Sequence, residues 1–399
     1  MRFDPRHRRL ALDPRDPAFF ADPYAAYARL HAAPGPVFWE DYGFWCFFGH
    51  AAVSALLRDK RFGRQILHVA TRQELGWRPR PGHLADFDAI ERHSLLELEP
   101  PEHTRLRALV NRAFVSRQVE RLAPAIAALA ERLVDRLAPG DDLIAGLATP
   151  LPVGVIAALI GAPAEDAARL LDWSHKMVAM YRFAPTRADE DEAAAAAREF
   201  AAYVRDLVRE RRRERRDDLI CELIAAESEQ GRLSEDELVS TVILLLNAGH
   251  EATVHALGNA VKALLEGGAR FGGSEGAVEE LLRFDSPLHM FTRYALRDVE
   301  IEGVRLRKGE RVGLLLGAAN RDPAVFADPG RLDLARAPNP HVAFGAGIHF
   351  CVGAPLARRE MRIALEVLFR RLPGLELAEP PSYRDAYHFH GLTALKVCW

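Results

Sequence analysis

The chain has 399 residues, of which 49% are hydrophobic and 27% are charged, and its formal net charge is −3. This balance gives no basis for binding nucleic acid or an anionic membrane. The four scattered cysteines include no CxxC pair, which argues against a zinc site and favours a reducing compartment. The N-terminal residues lack a signal-peptide core, and no window reaches the roughly 18 uninterrupted apolar residues of a spanning helix. We therefore expect a cytoplasmic protein with a large core, no membrane span and no nucleic-acid partner.

Short helical and β-rich segments alternate at the start of the chain. Asp22 is placed to cap a helix from Pro23 to Ala32. Two β-rich runs, 37–40 and 44–48, flank an Asp-Tyr-Gly turn and predict a β-hairpin.

Residues 63–99 show no periodicity. A loop of this length inside a compact domain is usually functional or disordered. Its apolar residues, Leu96 among them, either line a pocket or pin an ordinary surface loop.

A helix with two regularly spaced cationic groups follows a pair of prolines. His103 and Arg107 are four residues apart, so they share one helical face and can together hold a dianionic ligand. Arg105 and Arg112 occupy the same helix, so the alternative is a solvated basic face.

Residues 117–227 are predicted to be almost entirely helical. Near their middle lies an apolar cluster that includes Trp173, Met180 and Phe183. A stripe of Met and aromatic residues is more often plain core than a functional element.

The next helix is apolar on nearly all sides, as is typical of a buried helix. Ser234 and Glu237 predict a capping box at its start. Polar residues interrupt it in the segment AGHEAT, 248–253. Gly249 weakens the helix there and the Thr253 hydroxyl can bond back to the Gly249 carbonyl, so we expect a local opening.

The segment EGGARFGGSEG is rich in glycine, and no full helix is expected between the apolar helix and EELLR. Within EELLR, Glu280 and Arg283 form an i, i+3 pair, which alone predicts only a weak ion pair. Strands with turns at 302–303 and 308–309 are expected next.

The segment HVAFGAGIHFCVGAPLARREMR, 341–362, places one sulfur at the start of a helix. Unsatisfied N–H groups and the helix dipole stabilise a thiolate there, and glycines allow a tight loop and close approach of a flat cofactor. A lone cysteine can also be a small core residue.

The pattern FGxGxHxCxG around Cys351 resembles the haem-ligand loop of the cytochrome P450 superfamily, and every fixed position of it is present. The HxxxR pair, AGHEAT, the ExxR pair and Arg293 also resemble family motifs, in family order. The resemblance implies a mainly α fold with a small β region (α+β), a triangular helical prism with a long central I helix. It implies a single domain over 1–399, β-rich at about 36–50 and 288–316 and helical at about 100–287 and 351–372.

The resemblance also implies a haem b cofactor and a role for each matching residue. Cys351 would be the axial ligand of the iron, Glu251 the acid and Thr253 the alcohol of a proton relay, and Arg331 the third member of a buried Glu-Arg-Arg core. The haem propionates would be neutralised by His103, Arg107, Arg293 and His349. Further cofactor contacts would come from Ala248, Gly249, Phe344 and Gly353. The resemblance also implies that residues 63–99 cover the substrate and that the apolar cluster around Met180 forms a mobile lid over it. The substrate pocket would include Leu96, Met180, Leu288, Met290 and Phe389.

The activity implied is that of a monooxygenase that inserts one atom of O2 into a medium-sized, mainly hydrophobic organic substrate, by hydroxylation or epoxidation. Three histidines near the expected pocket, His68, His289 and His388, suggest one polar group on that substrate. Electrons would come from a separate ferredoxin and reductase, which would dock on arginines near the sulfur: Arg105, Arg112, Arg358, Arg359 and Arg362. The alternatives are a peroxide-driven haem enzyme, a non-catalytic haem-thiolate sensor and a haem-free helical binding protein.

Overall fold

The computed structural model describes residues 1–33, 35–113, 116–228 and 231–399. Its helices are α1 (Pro17–Ala21), α2 (Pro23–His31), α3 (His50–Leu56), α4 (Ala85–Glu91), α5 (Glu102–Ala113), α6 (Ser116–Val134), α7 (Pro150–Leu159), α8 (Ala167–Val178), α9 (Arg187–Arg213), α10 (Leu219–Ala225), α11 (Glu235–Glu266), α12 (Glu275–Phe284), α13 (Leu316–Ala319) and α14 (Ala354–Arg371). Its strands are β1 (Arg2–Asp4), β2 (Arg9–Ala11), β3 (Val37–Trp39), β4 (Phe44–Phe47), β5 (Phe62–Gly63), β6 (Glu227–Ser228), β7 (Gly231–Arg232), β8 (Met290–Ala295), β9 (Val299–Ile301), β10 (Val304–Leu306), β11 (Arg311–Leu315), β12 (Glu376–Leu377), β13 (Ser382–Tyr383), β14 (Leu392–Ala394) and β15 (Val397–Cys398).

One seven-stranded sheet joins segments that are distant in the sequence. Its strand order is β1-β2-β3-β4-β11-β8-β5. The predicted hairpin is confirmed, since β3 and β4 are antiparallel with Val37 opposite Cys46. Strand β11 lies parallel to β4 and antiparallel to β8. Strands from both predicted β-rich segments therefore share one sheet, whereas β9 and β10 pair separately.

Helix α11 is the central helix of the structure. It contacts α7, α8, α9, α12 and α14, and most of its residues are buried, as its apolar sequence predicts. The predicted capping box is confirmed, because the Ser234 hydroxyl accepts from the Glu237 N–H while the Glu237 carboxylate accepts from the Ser234 N–H. The expected local opening is absent, since α11 is continuous from Glu235 to Glu266.

The predictions for the glycine-rich segment and for residues 63–99 have different outcomes. The glycine-rich segment between α11 and α12 contains no helix, as expected. Residues 63–99 are not one long loop, because α4 occupies Ala85–Glu91 and buries Phe87 and Ile90. Within the described ranges, no helix has the length and apolar content needed to cross a membrane.

The carboxylate of Glu280 is fully buried and forms the centre of a polar network. It accepts from Arg283 at 2.7 and 2.8 Å and from the Arg336 Nε at 3.1 and 3.2 Å. The Asp333 N–H and the Asn339 side-chain amide also donate to it, at 3.0 and 3.1 Å. A buried carboxylate is tolerated when it has this many donors.

The prediction that Arg331 completes this network was wrong. Its side chain is 68% exposed, and only its carbonyl takes part, accepting from Arg283 and Arg336. The chain turns back towards Glu280 after Arg331, so the arginine that reaches the carboxylate is Arg336.

This geometry predicts that substituting the two arginines will have very different effects on stability. Arg336→Ala should lower the free energy of unfolding by about 3 kcal/mol, because it removes one cation from a buried carboxylate. Arg331→Ala should change it by less than about 0.5 kcal/mol, as is typical of an exposed position. Urea titration of both variants measures the difference, and equal losses would contradict the assignment of Arg336.

Candidate functional site

A tight loop holds Cys351 at the start of α14. Gly345 and Gly347 have φ angles of +68° and +72°, which favour glycine. A Cβ on Gly347 would also clash with the carbonyl oxygen of Leu57. The Cys351 N–H donates to the Phe344 carbonyl at 3.1 Å, so the loop closes on itself directly before the helix.

Two opposing effects act on the Cys351 thiol. Burial raises its pKa, whereas the N–H groups of Gly353 and Ala354 and the charge of Arg107 lower it, with a net rise. The stabilisation expected from the helix start is therefore present but smaller than the cost of burial. A metal cation displaces the proton of such a thiol when it binds.

A cavity of about 680 Å³ extends from Cys351 along one side of α11. Its lining includes these predicted cofactor and relay residues: Arg107, Ala248, Gly249, Thr253, Phe344, His349, Cys351 and Gly353. It also includes all five residues predicted for the substrate pocket: Leu96, Met180, Leu288, Met290 and Phe389. The apolar cluster expected as core or lid belongs to both. Trp173 packs in the core, whereas Met180 and Phe183 line the cavity.

His103 and Arg293 lie behind the cavity wall and are almost fully buried. The His103 ring is 4.5 Å from the ring of His349, and burial together with the charge of His349 lowers its pKa to about 4. Burial and then the neighbouring Arg64 lower the pKa of Arg293 to about 9.

Two further charged residues near Arg293 and His349 were missed by the sequence analysis. Arg64 lines the cavity and pairs with Glu97. The Glu99 carboxylate lies 3.3 Å from His349 Nε2. Both lie in residues 63–99, where no sequence pattern indicated a functional role for either.

These residues fit the haem group that the motifs predict. In the described chain, both ring nitrogens of His103 are buried without a hydrogen-bond partner, and no carboxylate is within ion-pair distance of Arg293. Buried cations and unpaired donors are costly unless an anion pairs with them. The two carboxylates of haem b are such anions, and Cys351 supplies a metal-ligating sulfur beside the same cavity.

Thr253 and Glu251 lie on different faces of α11. Two residues along an α-helix are separated by about 200°, so side chains at these positions point in nearly opposite directions. Thr253 lines the cavity and its hydroxyl donates to the Gly249 carbonyl at 3.1 Å. Glu251 is not among the residues that line the cavity.

The Glu251 carboxylate is instead surrounded by nitrogen atoms. Arg384 donates to it at 2.9 Å, and the Nε2 atoms of His255, His175 and His250 lie 3.2, 3.5 and 3.5 Å away. Burial alone would raise the pKa of Glu251, but these neighbours together hold it well below its usual range. The His175 side chain is 43% exposed, so the cluster reaches solvent.

Of the three histidines expected near the pocket, only His388 lines the cavity. His289 hydrogen-bonds instead to the Tyr27 hydroxyl at 2.7 Å, and His68 is exposed. Two polar residues that no motif indicated, Tyr42 and Arg311, also line the cavity near His388.

Comparison with known proteins places this site in a family context. The family model described as Cytochrome P450 matches residues 275–380. Nocardicin C N-oxygenase of Nocardia uniformis subsp. tsuyamanensis is 41% identical over 89% of this chain and 89% of its own. Mycinamicin IV hydroxylase/epoxidase of Micromonospora griseorubida is 39% identical over the same shares. The solved structure of the bacillaene polyketide synthase cytochrome P450 PksS of Bacillus subtilis 168 has a TM-score of 0.86 and 33% identity, covering 97% of this chain and 99% of that one.

Proposed function

We propose that this chain, which belongs to the cytochrome P450 family, uses its monooxygenase activity to hydroxylate or epoxidise a medium-sized, mainly hydrophobic organic substrate. The fold predicted from the sequence, mainly α with a small β region, is confirmed by the similar solved structures, and haem b is the cofactor of the family. We also propose that residues 1–399 act as one domain, because strands from both β-rich segments share one sheet.

One observation carries the proposal. The Cys351 thiol, the Thr253 hydroxyl and the five apolar residues of the expected pocket all line one cavity. When bound, haem b supplies the oxidising chemistry, and thiolate ligation favours cleavage of the O–O bond. The apolar lining binds the substrate by burial and excludes water from the reacting atoms.

Four residues are proposed to hold the haem carboxylates: His103, Arg107, Arg293 and His349. The support comes from two of them: both ring nitrogens of His103 lack a hydrogen-bond partner among the described residues, and Arg293 is buried with no carboxylate at ion-pair distance in the same part of the chain. Glu99, which lies beside His349, would hold that ring in place rather than bind the cofactor.

Proton delivery is proposed to use the two faces of α11 separately. The Thr253 hydroxyl is in the cavity, where it can donate to an oxygen atom next to the substrate. Glu251 lies on the solvent side, where exposed His175 can supply protons to the cluster. Their separation makes Thr253 the residue that acts in the cavity and Glu251 a relay residue behind it.

The alternative functions predict different cavities. A peroxide-driven enzyme or a non-catalytic haem-thiolate sensor does not need an alcohol in the cavity, whereas Thr253 places one there. The similarity to a protein named as a hydroxylase/epoxidase also supports oxidation of a C–H or C=C bond.

A separate ferredoxin is proposed to dock near the Cys351 loop. Ile348 of this loop is 41% exposed, so it offers an apolar contact. Arg358 is bound by Glu279 and Arg105 by Glu237. Of the predicted arginines on α14, this leaves Arg359, with no ion pair in the described chain, and Arg362, whose nearest acid is 3.9 Å away.

Spectroscopy of the reduced, CO-treated protein tests the central assignment. The wild-type protein should show the absorbance band of a haem-thiolate, and Cys351→Ser should abolish it, because the thiolate ligand is lost. Cys398→Ser, a change at a second partly exposed cysteine, should keep the band. A band that persists in Cys351→Ser would exclude Cys351 as the ligand.

Thr253→Ala should lower the product formed per reductant consumed by more than about tenfold, because a positioned proton donor is removed. Thr253→Ser keeps the hydroxyl and should retain most of the coupling. Product and reductant are measured together in each variant. If Thr253→Ala gave the wild-type ratio, the assignment of Thr253 as a proton donor would be wrong.

Charge reversal tests the ferredoxin surface. The double variant Arg359→Glu, Arg362→Glu should slow reduction by ferredoxin at low salt and flatten the salt dependence, because long-range attraction is lost. Arg305→Glu is the matched control, since Arg305 is 84% exposed on β10. Unchanged reduction at low salt in the double variant would exclude this surface.

A further inference from the structure

The strand that begins at Arg311 presents an arginine to the aromatic end of the cavity. Side chains alternate along a strand, so Arg311 shares a face with Gly313. A Cβ on Gly313 would lie 2.9 Å from Phe44 and 3.0 Å from Met290, and both of these residues line the cavity. The Arg311 guanidinium itself lies 4.7 Å from the centroid of the Phe44 ring.

Arg311 has no acidic partner in the described parts of the chain. Among the described residues, no carboxylate lies within 4.0 Å of its guanidinium. Of the described residues that line the cavity, only Glu91 and Glu360 carry carboxyl groups. Glu91 accepts from the Tyr181 hydroxyl at 3.0 Å, and Glu360 lies on α14, behind the Cys351 loop.

Two further hydrogen-bonding groups lie beside Arg311. The Tyr42 hydroxyl is buried without a hydrogen-bond partner in the described chain, and its ring is 5.8 Å from the ring of His388. Burial and the charge of Arg311 lower the pKa of His388 to about 4, so this ring is neutral at pH 7 and keeps one N–H donor. The described residues at this end of the cavity therefore include three hydrogen-bond donors, and no carboxylate lines it beside them.

We propose that Arg311, with Tyr42 and His388, binds the carboxylate of an apolar acid, and that the substrates of this protein are therefore hydrophobic carboxylates. A guanidinium matches both carboxylate oxygens, and a charge-assisted hydrogen bond from the Tyr42 hydroxyl adds to the attraction. The apolar remainder of the acid then extends into the cavity towards Thr253 and Cys351. The inference rests on the proposed function, because it names the substrate class of the same cavity.

Matched acids and esters test it on the haem-loaded protein. Dodecanoate and lithocholate are titrated against their methyl esters, and binding is measured by the spin-state change of the haem and independently by equilibrium dialysis. Each acid should bind about tenfold more tightly than its ester. High salt should reduce this preference, since Arg311 is exposed to solvent.

Substitutions then locate the preference. Arg311→Gln should weaken binding of the acids about tenfold and leave the esters unchanged. Tyr42→Phe should weaken binding of the acids by a smaller factor, about threefold, because it removes one hydroxyl. Arg305→Gln, at an exposed position on β10, should change neither.

Two results would overturn the proposal: acids that bind no more tightly than their esters, or wild-type affinity for the acids in Arg311→Gln. A protein that lacked the haem-thiolate band would contradict the proposed function instead. Equilibrium dialysis would still decide the carboxylate site in that case, because it does not depend on the haem spectrum.

Discussion

The position of the Cys351 loop depends on two adjacent carboxylates of α12. Glu280 is buried and collects donors from the segment that precedes the loop, including the Asp333 N–H and Arg336. Glu279 accepts from Arg358, two turns beyond the cysteine, and its other oxygen lies 3.0 Å from His341, ten residues before it. The loop is therefore fixed on both sides by one helical turn.

The second constraint is the geometry of α11. An apolar helix in the core can expose different polar groups on different faces, and its 3.6-residue repeat decides which face each one meets. Thr253 meets the cavity, whereas Glu251 meets His175 and Arg384 on the far side. The helix thereby separates the Glu251 carboxylate, which lies beside exposed His175, from the Thr253 hydroxyl in the cavity. One uninterrupted helix, α11, carries both residues.

Features encoded by neighbouring residues could be predicted from the sequence. The capping box at Ser234, the hairpin after Val37 and the glycine loop before Cys351 depend on local backbone geometry, and all three are present. Partners that meet only after folding could not be predicted. Nothing in the sequence distinguishes Arg336 from Arg331 as the partner of Glu280, because the choice depends on where the chain reverses.

The cavity shows why substrate specificity could not be predicted from local sequence patterns. Its cofactor end uses residues from recognisable motifs, such as His349 and Cys351, whose spacing is constrained by the cofactor they are expected to hold. Its aromatic end is lined by Tyr42, Arg311 and His388, which lie far apart in the sequence and belong to no motif. Each alone would be an ordinary polar residue near a turn or strand end. They meet only after folding, because Tyr42 comes from the turn between β3 and β4, Arg311 from β11 and His388 from the segment between β13 and β14. The charge at this end of the cavity is therefore a property of the tertiary structure.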